Sequence, residues 1–161
     1  FSRINNENII CIMPGADDNG HYVTNLRNLA KKYNVLGKMV FLPFLDDLPA
    51  AYMLADVVVA PSLKPEPFGR VIIEAQAMGR PVIAFDHGGA SESIKNNITG
   101  ILVEPKNEKE LGNAIEKLIN MTEMQRNNMA NLSRKHIVNN FSLAKMNKET
   151  IKLYSEVLKI K

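Results

Sequence analysis

Two glutamates separated by seven residues, in Glu66-Pro-Phe-Gly-Arg-Val-Ile-Ile-Glu74, flank a Pro-Phe-Gly corner. The segment follows an apolar run that ends in a turn, Val57-Val-Val-Ala-Pro-Ser62. It precedes Ala75-Gln-Ala-Met-Gly79 and a second apolar run, Pro81-Val-Ile-Ala-Phe85. That order reads strand, loop, helix, strand. Pro67 suits a first helical turn, where its missing N–H is no loss and its φ is preset, and Gly79 suits a helix stop. One carboxylate then stands where a strand gives way to a helix N-terminus. The second sits about two turns in, roughly 12 Å along the axis. A helix N-terminus offers free N–H groups to an anion, phosphate above all. Carboxylates beside it repel that anion but accept hydrogen bonds from hydroxyls, as on a sugar or a ribose. Diphosphate joined to polyols is the chemistry of a nucleotide sugar.

The elements that must position these groups follow from the pattern around them. Short apolar runs alternate with helical patterns, the sign of βαβ units and a parallel sheet. Strands are expected at residues 9–13, 39–42, 57–60, 81–85 and 100–103, and their continuous apolar character predicts a sheet covered on both faces. Helices are expected at 22–33, 48–54, 68–78 and 90–95, and then without further strands at 108–120, 123–139 and 143–159. Ser142 reads as the N-cap of the last helix, with Phe141 before it. Leu143, Met146, Thr150, Tyr154 and Val157 keep helical spacing along it. The polar stretch Ala16-Asp-Asp-Asn-Gly-His21 reads as a surface loop.

Composition narrows the chemistry. At 161 residues the chain is one domain with room for a real core, and 45% hydrophobic with 23% charged is ordinary for a globular protein. No apolar run approaches the roughly eighteen residues of a membrane span, and no signal peptide opens the chain. A net charge of +3 is too mild to argue for nucleic acid, and the basic C-terminal helices lack interleaved aromatics. Cys11 is the single cysteine, so neither an internal disulfide nor a thiolate cluster is available; within Ile9-Ile-Cys-Ile-Met13 it reads as a buried core residue. His21, His87 and His136 have no metal-ligand spacing with one another or with Cys11. Walker and Gly-x-Gly-x-x-Gly loops are absent from the sequence, and Ser62 sits in no nucleophile elbow.

Residues 56–104, from Asp56-Val-Val-Val-Ala-Pro-Ser62 through Gly100-Ile-Leu-Val-Glu104, include Gly88-Gly89-Ala-Ser-Glu92. With residues 9–15, 40–48 and Phe141-Ser142, they resemble the donor-binding, C-terminal domain of a family 4 retaining glycosyltransferase. This is the GT-B group also called glycosyl transferases group 1, whose signature is the glutamate pair. The resemblance implies an α/β fold, a Rossmann-like doubly wound parallel sheet with C-terminal helices, and makes residues 1–161 a nucleotide-sugar-binding domain. Residues 9–13 become its second strand and residues 1–4 the end of its first helix. The first strand, and a loop carrying an arginine and a lysine for the diphosphate, would lie upstream, as would the acceptor domain. The chain is therefore expected to be a fragment or truncated gene product, with helix 143–159 crossing to the missing acceptor domain.

The resemblance also assigns the candidate site. Glu66, Pro67, Phe68 and Gly69 would meet the donor sugar, while Gly69, Arg70, Val71 and Glu74 would meet phosphate and ribose. Gly15, Phe44, Leu45, Asp46, Ser62, Gly88 and Gly89 would line the base pocket or its surroundings. Each has a plainer reading. Glu66 could cap the helix electrostatically, worth about 0.3–1 kcal/mol. Glu74 could pair with Arg70 four residues earlier, worth ~0.2–0.5 kcal/mol. Against that, Val71, Ile72, Ile73, Ala75 and Ala77 make the helix apolar almost all round, and a buried carboxylate needs a partner. Arg70 could bind phosphate or be solvated; it and Pro67 stand where relatives carry a leucine-like residue and a glycine. Gly88-Gly89 could be a plain turn, Glu92 could be structural or a ligand contact, and Phe44 reads as core packing.

The activity implied is transfer of a sugar from a nucleotide-diphosphate sugar with retention, without a metal or other cofactor. The leaving diphosphate would assist a front-face displacement. A glycosidase pair faces itself across a bond, whereas these carboxylates lie along one helix, so neither is read as a covalent nucleophile. A lipopolysaccharide or surface-polysaccharide acceptor, a cytoplasmic location and peripheral association with the inner face of the membrane go with the family. Two other readings stay open. One is a degenerate or split-gene fragment that only binds nucleotide or pairs with a separate acceptor domain; the other is a GT-B epimerase or phosphorylase. This chain alone is expected to transfer no sugar.

Overall fold

The computed structural model describes residues 1–4, 6–16 and 20–158, and within them strands and helices alternate as the apolar pattern requires. The order is β1 (Cys11–Met13), α1 (His21–Lys32), β2 (Met39–Phe41), α2 (Leu48–Leu54), β3 (Val58–Ala60), α3 (Arg70–Ala77), β4 (Val82–Phe85), α4 (Gly89–Ser93) and β5 (Ile101–Val103). Three helices follow: α5 (Glu108–Ile119), α6 (Glu123–Asn140) and α7 (Leu143–Leu158). All strand pairs are parallel. β1 pairs with β2, and β3, β4 and β5 form a second sheet in that order. β1 and β3 are each paired on one side only, the arrangement of a doubly wound sheet in which another strand would lie between them.

β4 is the centre of the three-stranded sheet, and its alternation divides the core. Ile83 and Phe85 face one layer with Ile101, Val103, Ala114, Leu118 and Met129. Val82 and Ala84 face the other, with Ile72, Ala75, Ala90 and Ile94. The expectation of a sheet covered on both faces holds for β4, but not for β1, where Ile10 before the strand is 67% exposed and Ile12 is 50% exposed. Cys11, expected in the core, is only half-buried, because β1 is an edge strand. Its burial still pushes the thiol pKa up. Residues 1–4 close a single turn, with Ile4 N–H donating to the Phe1 carbonyl at 3.1 Å.

The C-terminal helices are well started. Asn107 accepts from Glu110 N–H, and Thr122 forms a reciprocal capping box with Gln125. α6 packs along α3, and Arg134 of α6 donates to the carbonyl of Ala77 at the last turn of α3. Ser142 caps α7 as expected, its hydroxyl accepting from Lys145 N–H at 3.4 Å. None of the described residues of α7 is buried. Lys159, placed in this helix by the spacing, lies outside the described residues, as do Asp17, Asp18 and Asn19 of the expected surface loop.

This division of the core sets a stability contrast. Leu118 is fully buried and Leu153 on α7 is 57% exposed. Leu118→Ala is expected to cost about 2–5 kcal/mol in urea unfolding, and Leu153→Ala less than about 0.5 kcal/mol. Equal costs would mean that α7 is packed in solution.

Candidate functional site

β3 ends at Ala60, and the chain bends through residues 61–69 before α3 begins. The helix starts at Arg70, not near Pro67, because Gly69 sits in the left-handed region (φ 72°, ψ 60°), which breaks the helical path and suits glycine. Pro67 and Phe68 therefore lie in the bend before the helix rather than in its first turn, and Glu74 is about one turn in, not two. Ile72 N–H and Ile73 N–H both donate to the Gly69 carbonyl. The amides of Arg70 and Val71 are left without an intrahelical acceptor, so this helix start can receive an anion.

Glu66 is held ahead of that start. Its carboxylate accepts from the Ser62 hydroxyl, and its own carbonyl accepts from Gly89 N–H at 2.9 Å. The contact explains the glycine pair. A Cβ on Gly88 would lie 2.4 Å from the Glu66 carbonyl oxygen, and one on Gly89 would lie 2.7 Å from the Phe68 carbonyl oxygen. Gly88 also has φ 56° and ψ −144°, a conformation open to glycine. The plain-turn reading thus gives way to a clamp, in which the loop after β4 holds the loop after β3. Phe68 is held from a third direction by the ring of Phe141, at 6.3 Å between centroids.

His87 is the residue that sequence reasoning missed, having been weighed only as a metal ligand. Its Nε2 lies 2.9 Å from the Ser62 carbonyl, so this nitrogen carries a proton and donates it. Nδ1 is buried without a hydrogen-bond partner among the described residues. With Ser62, Glu66, Gly69 and Phe85 it lines a hollow of about 10 Å³, room for one water-sized group. Its place directly before Gly88, at the carboxyl end of β4, was the available signal. A wider depression of about 490 Å³ over Arg3 and residues 104–109 contains none of the candidate residues.

Glu74 does not line the hollow. It is half-buried, and both its oxygens are engaged: Oε1 accepts from Arg70 Nε at 3.1 Å and Nη2 at 2.9 Å, and Oε2 accepts from the Tyr52 hydroxyl at 3.1 Å. Arg70 is 81% exposed, so that ion pair contributes only about 0.3–0.5 kcal/mol. The expected burial of α3 is partial, since Ile72, Ala75 and Gln76 are buried but Val71 is exposed. Burial first, then the hydrogen bond and charge of Glu74, push the Tyr52 hydroxyl up to about 12.

The remaining candidates form a separate group. Gly15 N–H donates to Pro43 carbonyl at 3.1 Å and Ala16 N–H to Leu42 carbonyl at 2.9 Å, which sets the turn after β1 against the loop after β2. Phe44 in that loop is 76% exposed. The core-packing reading of Phe44 is therefore wrong, since it follows the end of β2 in a segment of loop rather than within a covered strand. Leu45 is half-buried and Asp46 exposed. Both groups follow the carboxyl ends of parallel strands, where open α/β sheets bind their ligands.

Comparison with known proteins identifies the family to which this arrangement belongs. The family model for glycosyl transferases group 1 matches residues 1–136, and the chain belongs to that family, with the GT-B fold. Glycosyltransferase MJ1607 of Methanocaldococcus jannaschii is 35% identical over 145 residues, covering 89% of this chain and 36% of that protein. A glycosyltransferase structure from Rickettsia africae ESF-5 superposes with a TM-score of 0.86 at 34% identity, over 95% of this chain and 41% of that one. Anabaena HepE, solved in complex with UDP, superposes with a TM-score of 0.88 at 28% identity, over 96% of this chain and 43% of that one. The chain spans about a third of the length of the curated relatives it matches. No described helix is long and apolar enough to cross a membrane.

Two outcomes check this geometry. Gly89→Ala must displace backbone and is expected to cost at least about 1–3 kcal/mol of stability. Gly37→Ala, with nothing within 4 Å of the new methyl, is expected to change stability by under about 1 kcal/mol. The raised Tyr52 pKa means that the folded state binds more protons than the unfolded state between about pH 10 and 12. Its contribution to stability is complete below about pH 10 and is lost as pH rises through about 12. A tyrosinate absorbance titration should show a late step near pH 12 that disappears in Tyr52→Phe.

Proposed function

We propose that this chain is the donor-binding domain of a retaining glycosyltransferase acting on a nucleotide-diphosphate sugar. One observation carries the reading: Glu66 is fixed by Ser62 and by the Gly88-Gly89 clamp immediately ahead of a helix start whose Arg70 and Val71 amides are open. Hydroxyl acceptor and anion site are thereby joined in one loop, as a sugar linked to diphosphate requires. Glu66 would accept from hydroxyls of the donor sugar. The Arg70 and Val71 amides and the Arg70 guanidinium would meet the diphosphate, and Glu74 the ribose diol. Related structures support this assignment, since HepE has been crystallised with UDP and with UDP-glucose.

In the complete enzyme the chemistry would be front-face displacement with retention. Charge that develops on the leaving diphosphate would be stabilised by preorganised N–H groups and Arg70, with no metal in the scheme. A second domain would supply the acceptor and exclude water, and residues 1–161 by themselves would bind donor without transferring it. A lipopolysaccharide or surface-polysaccharide acceptor, and action on the cytoplasmic side beside the membrane, belong to the same proposal and rest on the family resemblance.

Calorimetric titration with UDP, UDP-glucose, GDP and ADP tests the reading. The preferred nucleotide should bind, and Glu74→Ala should weaken it by about tenfold, as expected when a charged hydrogen-bond acceptor is removed. Glu66→Ala should leave the affinity for the free nucleotide unchanged and weaken that for its sugar conjugate. Equal loss for both ligands in Glu66→Ala would contradict a sugar-facing Glu66, and sugar transfer by this chain alone would overturn the half-enzyme reading.

A further inference from the structure

Tyr52 plays no part in the glutamate signature, yet it reaches the second glutamate from another element. We infer that Tyr52 is a positioning residue for the nucleotide's ribose, its hydroxyl fixing the Glu74 carboxylate so that the remaining lone pairs can accept a vicinal diol. This deepens the proposed function and rests on its assignment of Glu74 to the ribose.

Two partners hold Glu74, and they differ in kind. Arg70 shares a helix with it, is largely solvent-exposed and engages Oε1. It is also the cation nearest the open amides in sequence, so a diphosphate at the helix start would draw its guanidinium away from Glu74. Tyr52 is half-buried on α2 and engages Oε2 at 3.1 Å across the contact between α2 and α3. α2 is itself capped at its start, where Asp47 accepts from Ala50 N–H at 3.0 Å. When Arg70 turns to phosphate, Tyr52 is the restraint that stays. A carboxylate has about four lone-pair sites, so one bond from Tyr52 leaves capacity for both hydroxyls of a diol. With its pKa pushed up to about 12, the phenol remains a donor through the whole neutral range.

The test uses UDP and its 2′,3′-dideoxy analogue as probes, with affinities for both measured by calorimetry on the wild type, Tyr52→Phe and Glu74→Ala. Tyr52→Phe removes one oxygen and no carbon, and the dideoxy affinity reports whether the site has kept its shape. The wild type should prefer the ribose form, and Glu74→Ala should erase the preference. Tyr52→Phe should cut it by about three- to tenfold, as for loss of one charge-assisted hydrogen bond acting indirectly, with dideoxy binding unchanged. If Tyr52→Phe weakens both probes equally, its role is structural and the inference falls. If Glu74→Ala erases the preference and Tyr52→Phe leaves it intact, the inference falls while the ribose assignment stands. A wild type with no preference, or one that Glu74→Ala leaves untouched, overturns the ribose assignment and this inference together.

Discussion

The hydrogen bond from Gly89 N–H to the carbonyl of Glu66 requires two backbones to approach without any side chain between them. Gly88 and Gly89 make that approach possible, since a methyl on either would collide with the carbonyl oxygen of Glu66 or Phe68. Much of the site depends on this constraint. The loop after β3 carries three prolines, Pro61, Pro65 and Pro67, and within it only the Ser62 hydroxyl holds the Glu66 carboxylate among the described residues. The clamp fixes it from outside, using a loop that is itself anchored to β4, whose residues are all buried. Gly69 then turns the chain into α3 and leaves the first amides of the helix facing outward.

Rigidity at this site therefore comes from the sheet and is passed on through short loops. β4 carries the glycine pair at its carboxyl end, and α3 is held against the sheet by Ile72 and Ala75 and against α6 along its length. α6 also brings Phe141 onto Phe68 at its far end. The half of the chain that contains β1 and β2 is joined to this frame through α2, whose Tyr52 meets Glu74. The carboxylates of Glu66 and Glu74 thus sit on the loop before α3 and on the helix itself, each with its own support.

Much of this arrangement was legible in the sequence. The short apolar runs located every strand to within two residues, and the limits of α2 were read without error, because a proline near its start and an apolar strand after it bound it on both sides. The glutamate pair, the glycine pair and the apolar runs that flank them were together enough to identify the family. The start of α3 was misplaced because Pro67 suits both a first helical turn and the bend before one. Only the left-handed conformation of Gly69 decides between them. Phe44 was read as core because an aromatic residue next to a strand usually is. Tyr52 and His87 left little signal, since their partners lie 22 and 25 residues away, beyond the reach of helical or strand periodicity.

In the proposed function, sugar and diphosphate are recognised by adjacent parts of one loop and helix. Backbone amide chemical shifts measured by NMR during titration with UDP and then with UDP-glucose test it most directly. UDP should move the amides of Arg70 and Val71, and UDP-glucose should in addition move those of Glu66 and Gly89, which are joined by the clamp. The same shifts with both ligands at Glu66 and Gly89, or shifts confined to the depression over residues 104–109, would contradict it.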